Sequence, residues 1–172
     1  MKAVFPILII LFCCSAAAAQ ELPSDGYLNA LSEVRDKRRA LLLVFRSKVI
    51  SVDDREQGII EDVLKANPEP SGRYRWVYGQ IARKLNGYIR KYKSLTAANE
   101  LADAEYVIFF NVVEFRRILD SIHAYGELFV IVKGSPEAQK PPRVVWRAKK
   151  MRFASDAITD LIKDLKSLRG ES

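Results

Sequence analysis

Residues 105–115 read Glu-Tyr-Val-Ile-Phe-Phe-Asn-Val-Val-Glu-Phe, with an apolar side chain at nearly every position. Successive side chains of a strand point to opposite faces. Val107, Phe109, Val113 and Phe115 therefore fall on one side, and Tyr106, Ile108, Phe110 and Val112 on the other. A strand that is apolar on both faces belongs in the middle of a sheet, covered above and below. Glu127–Lys133 (ELFVIVK) has the same character over a shorter length. Arg143–Lys149 alternates instead, with Val144, Trp146 and Ala148 facing inward and Arg147 and Lys149 outward. That pattern suits a charged edge strand. The connections are short enough for antiparallel neighbours, and residues 134–142 (GSPEAQKPP) have turn chemistry. Upstream, Ala40–Phe45 (ALLLVF) reads as another buried strand, with Lys48–Val52 extending it or forming a second one.

Helical spacing accounts for much of the rest. Leu28, Leu31 and Val34 suggest a short amphipathic helix capped by Ser24 or Asp25. Asp53 with Glu56 three residues later opens a second helix, whose apolar face is Ile59, Ile60, Val63 and Leu64. The third is the longest. Tyr74, Val77, Tyr78, Ile81, Leu85, Tyr88, Ile89 and Tyr92 stay in phase through Asn86-Gly87. A final helix is capped by Ser155, turns Ile158, Leu161, Ile162, Leu165 and Leu168 inward, and stops at Gly170. The expected fold is one α+β domain over residues 20–172, a mixed and largely antiparallel sheet with helices packed on it.

Residues 1–19 have the order of a cleavable export signal: Met1-Lys2, an apolar run from Ala3 to Phe12, then Ala17-Ala18-Ala19. The apolar run is too short to span a bilayer, and no later stretch is long enough. The expectation is a periplasmic or secreted protein with no transmembrane segment after cleavage. Both cysteines, Cys13 and Cys14, lie within the signal, and Phe12 replaces the small residue that lipid attachment favours. The exported chain then has no disulfide and no thiolate chemistry. The net charge of +7 favours anionic partners, either an envelope protein or an anionic envelope polymer or lipid. Export argues against nucleic acid.

Two segments carry candidate function. Between Arg73 and Lys93 there is no acidic residue, and Arg75, Trp76, Arg83, Lys84, Arg90 and Lys91 are candidates for holding an anionic surface by charge and stacking. The tyrosines of this helix belong to its apolar stripe and are expected inside. The second segment, Arg116–Gly126 (RRILDSIHAYG), is expected to be a loop joining the two most buried strands. His123 is the only histidine; with Glu114, Asp120 or Glu127 it could do acid–base work in a small hydrolase or isomerase, while Arg116, Arg117 and Tyr125 offer binding groups. Their spacing matches no catalytic signature. Phosphate-cradling glycine motifs, H-E-x-x-H and G-x-S-x-G are absent, so neither a cofactor nor a metal is expected.

A helix followed by Leu101-Ala102-Asp103-Ala104-Glu105-Tyr106-Val107-Ile108, then hairpin strands and a closing helix, resembles small periplasmic α/β domains. These are the amino-terminal domain of TolB and its relatives among curli-export and penicillin-binding-protein accessory lipoproteins. The resemblance covers roughly residues 74–168 in element order. It implies a bacterial envelope role in assembly or partner docking, with no shared catalytic residues to carry over.

Overall fold

The computed structural model describes residues 30–48, 55–135 and 139–171. The apolar 105–115 stretch is the first part of β3 (Tyr106–Ile118), and it lies in the middle of the sheet. The order is β2 (Thr96–Ala97), β1 (Arg39–Phe45), β3, β4 (Ser121–Val132) and β5 (Arg143–Arg147), with β6 (Arg152–Phe153) also pairing with β4. β1 runs parallel to β2 and β3, and every other pairing is antiparallel. The fold is therefore the expected α+β arrangement around one mixed sheet.

Both faces of β3 are covered. Tyr106, Ile108, Phe110 and Val112 pack under α2 (Tyr74–Tyr92) and α3 (Ala154–Arg169). Val107 and Phe109, with Phe129 and Ile131 of β4, pack under Ile59, Ile60 and Val63 of α1 (Arg55–Leu64). A parallel β1–β3 pair requires a long crossover, and α1 and α2 supply it on opposite faces. The α2 stripe is as expected: Val77, Ile81, Leu85 and Tyr88 are buried, and Tyr74, Tyr78, Ile89 and Tyr92 pack against the same core. The helix runs unbroken through Gly87. A Cβ added at Gly79 or Gly87 would meet nothing within 4 Å. Gly79→Ala and Gly87→Ala should each raise stability by about 0.5–1 kcal/mol, read as a higher urea midpoint at unchanged slope.

The Ala104-Glu105-Tyr106 step has a physical role. The Glu105 carboxylate accepts the backbone N–H groups of Arg38 and Arg39, both at 2.8 Å, and its own N–H donates to the Arg39 carbonyl at 2.8 Å. One side chain thus fastens the start of β1 to the start of β3. The N–H of Arg39, helped by that of Arg38 and by the Lys37 and Arg39 charges, holds this carboxyl below the usual range against the opposing effect of burial. A depressed native pKa adds stability above the unfolded-state value of about 4.3, and that contribution is lost as pH falls through the native value. Glu105→Gln should therefore be less stable than the wild type at neutral pH, with the gap closing in acid. A gap that stayed constant from neutral pH to pH 3 would exclude this role.

Several expectations need correction. The register shifts between Val112 and Glu114, a β-bulge that turns Phe115 onto the α2/α3 side, away from Val107 and Phe109. Residues 116–126 are not a loop but the ends of β3 and β4, joined by the two-residue turn Leu119-Asp120. A second register shift opposite Val130 and Ile131 places Val144 on the α1 side, while Val145 and Trp146 face α2 and α3. The β5 arginines are held internally, Arg143 by Glu33 and Arg147 by Glu127. α3 starts at Ala154 with no side-chain cap, so Ser155 does not cap it. Where a first helix was expected, Ala30 and Leu31 are helical and run into a 3-10 turn, Ser32–Val34; the residues before Ala30 lie outside the described ones. The export signal 1–19, Ser24, Asp25, Leu28, Asp53 and most of Lys48–Val52 lie outside the described residues.

Candidate binding surface

The pairings of β1 and β6 define where the hairpin leaves the sheet. β1 follows β3 only to Asn111, and β6 meets β4 at Tyr125–Gly126. Beyond these points Phe115↔Ala124, Arg116↔His123, Arg117↔Ile122 and Ile118↔Ser121 pair only with one another. At roughly 3.3 Å per residue, this two-stranded arm reaches on the order of 15 Å past the sheet. It is rooted by Phe115 and Ala124, which join the α2/α3 core. Arg73, just before α2, lies 4.9 Å from the Phe115 ring and 5.7 Å from the Tyr74 ring, so the start of the basic helix borders the arm's root.

Along the arm the two faces differ. Arg116 holds Glu114 through its Nε at 2.6 Å and through a second nitrogen, and its guanidinium lies 3.7 Å from the Tyr125 ring centre. His123 and Tyr125 each pack 5.5 Å from Phe153. Arg117 and Ile122 occupy the opposite face. The end exposes three apolar side chains, Ile118 at 42%, Ile122 at 58% and Leu119 at 91%, beside the exposed Asp120 and Ser121. Leu119 takes a φ of 53°, the left-handed region that disfavours residues carrying a Cβ.

The acid–base candidates are spread out along this geometry. Glu114 is engaged with Arg116, Asp120 sits in the turn, and His123 rests on Phe153. Glu127 lies four residues from His123, roughly 13 Å along the strand. It is buried, in ion pairs with Arg55 and with Arg147 (3.1 Å), and it accepts a hydrogen bond from Asn111 Nδ2 at 3.3 Å. Among the described residues, one surface hollow of about 750 Å³ is bordered by Arg35, Arg38, Ser94 and Arg169. Another, about 410 Å³, opens at the end of β1 among Lys48, Asp62, Lys65 and Tyr74. His123 borders neither.

On α2, Arg75, Arg83, Arg90 and Lys91 are exposed, and Trp76 is 44% exposed beside them. Lys84 differs from them. Its ammonium donates to the Ser155 carbonyl at 2.9 Å and to Thr159 Oγ1 at 2.6 Å, tying α2 to the first turn of α3. Tyr92 lies under Lys166 and Lys91, which lower its hydroxyl pKa, Lys166 the more strongly. The sequence reading missed Ile118, Leu119 and Ile122. Their signal was present in the apolar Ile-Leu pair set among charges, but no glycine or asparagine marked the turn. Searches against protein-family models, curated proteins and solved structures found no match to this chain.

Proposed function

We propose that this chain is a non-enzymatic binding or assembly module of the cell envelope, exported by residues 1–19 and acting as the 20–172 domain. The observation that carries this reading is the arm. The sheet holds out a ribbon whose pairing partners end at Tyr125–Gly126, and the ribbon's end exposes Ile118, Leu119 and Ile122. Exposed apolar clusters on otherwise charged surfaces mark interaction sites. The edge strand β5 is a poorer contact, because a register shift and the turn before β6 interrupt it. The TolB-like order of elements agrees with a docking role.

The test uses the processed protein recovered from cells, its amino terminus read by mass spectrometry, as bait for membrane and wall fractions. The supporting result is an envelope component retained by the wild type and lost with the Ile118→Ser/Ile122→Ser variant. Equal retention by both, or an intact Met1 on protein recovered from the cytosol, would exclude the proposal. A second reading rests on the α2 face, where Arg75, Arg83, Arg90 and Lys91 are exposed and no acidic residue intervenes. It requires anion binding that weakens steeply with salt, since exposed charges are screened beyond about 10 Å at 0.1 M.

A further inference from the structure

We infer that the end of the β3–β4 arm inserts into the interfacial layer of an anionic lipid bilayer. This deepens the envelope-binding role proposed above and rests on it. A docking face for another protein is normally one side of an element. Here exposed apolar residues lie on both faces of the ribbon's end and in its turn, beside Asp120 and Ser121. Ile118 lies on the α1 side, Ile122 on the α2/α3 side, and Leu119 at the turn between them. Such an end is matched by a medium that encloses it.

The charges follow the same plan. Arg117 stands level with Ile122, its cross-strand partner, and Arg116 one step behind on the other face, opposite His123. Arg117 makes no ion pair among the described residues, and Arg116 is shared with Glu114. Behind them come Phe115 and Tyr125, with Arg73 against the Phe115 ring and exposed Trp76 in the first turn of α2. Apolar groups at the end, cations level with and just behind them on the two faces, and aromatics below form the sequence of layers met on entering an anionic bilayer surface. Asp120, beside Leu119 in the turn, opposes deeper entry and keeps the contact at headgroup depth. The excess of basic over acidic residues, which survives removal of residues 1–19, favours approach to the same surface.

Leu119 separates binding from folding. Its left-handed backbone favours glycine, so Leu119→Gly removes strain along with the largest exposed apolar group. The processed protein is sedimented with phosphatidylcholine vesicles and with vesicles in which about a third of the lipid is phosphatidylglycerol, a fraction chosen to give a strongly anionic surface. The wild type is expected to bind the anionic vesicles and not the neutral ones. Leu119→Gly should bind at least about tenfold more weakly while melting at the same or a higher temperature. Arg117→Gln should weaken binding several-fold without changing the melt.

Absence of binding to either vesicle would overturn the inference, as would undiminished binding by Leu119→Gly. So would a dimer that Leu119→Gly converts to monomer, which would assign the arm to a second copy of this chain. Binding abolished by Arg83→Gln/Arg90→Gln but retained by Leu119→Gly would assign the contact to α2. A protein retained from envelope fractions through the arm, with no affinity for vesicles, would leave the proposed function standing and this inference refuted.

Discussion

Gly126→Ala is expected to destabilise the protein by about 3 kcal/mol or more, opposite in sign to the same substitution at Gly79 or Gly87. A Cβ at position 126 would lie 2.0 Å from the Asn111 carbonyl oxygen and 3.0 Å from its carbonyl carbon. Those are main-chain atoms of the neighbouring strand, which a rotamer change cannot move aside. Gly126 pairs with Val112 at the point where the β3 register shifts, and on its other side with Arg152 of β6. The missing side chain lets the two central strands approach closely where the bulge turns the arm out of the sheet. Urea denaturation followed by far-UV circular dichroism is the measurement. A loss under about 1 kcal/mol would mean that the strands separate freely there, and the arm would then lack a fixed exit angle.

The same pair of positions explains what the sequence concealed. The first half of β3 was legible because dense β-branched and aromatic residues permit little else, and the α2 stripe was legible over five turns of consistent phase. The bulge was not. Val112-Val113 carries the apolar alternation straight through it, and the reason for the shift lies in Gly126 of another strand. Residues 116–126 looked like a loop because charged and polar residues interrupt the apolar alternation where the two strands leave the sheet. Leu119 in a left-handed turn runs against the usual turn composition, so local chemistry gave no hairpin signal. The short strands β2 and β6 are set by their partners, since two residues hold too little pattern to read. For the candidate surface, the exposed cations of α2 followed from helical phase alone. The grasp of Lys84 on Ser155 and Thr159 depends on how α2 and α3 pack together, which phase does not specify.

Glu127 gives the second large effect. Sequence reading offered it as a carboxylate partner for His123, and the structure surrounds it with two arginines and Asn111. It is 4% exposed, on the α1 side of β4, between Arg55 at the start of α1 and Arg147 on β5. Asn111, also buried, donates to it and accepts the Ser47 N–H at 3.0 Å, so the cluster joins the segment just after β1 to β3, β4, β5 and α1. Arg55→Met/Arg147→Met removes both cations and leaves a buried carboxylate with one neutral donor. The expected loss is roughly 3–5 kcal/mol at neutral pH. Adding Glu127→Gln should restore most of it, because the amide keeps an acceptor for Asn111 and carries no charge to desolvate. Glu127→Gln in the wild-type background should cost less than the double substitution, since Arg55 and Arg147 are 38% and 32% exposed and can turn to water. The cycle is read from urea midpoints of the four proteins. If the triple variant is no more stable than the double, then what the arginines supply is packing of their hydrocarbon stems against the sheet, as at Phe129, whose ring centre lies 5.6 Å from the Arg147 guanidinium. Rescue would instead fix Glu127 as a charge whose cations are needed only because it is there.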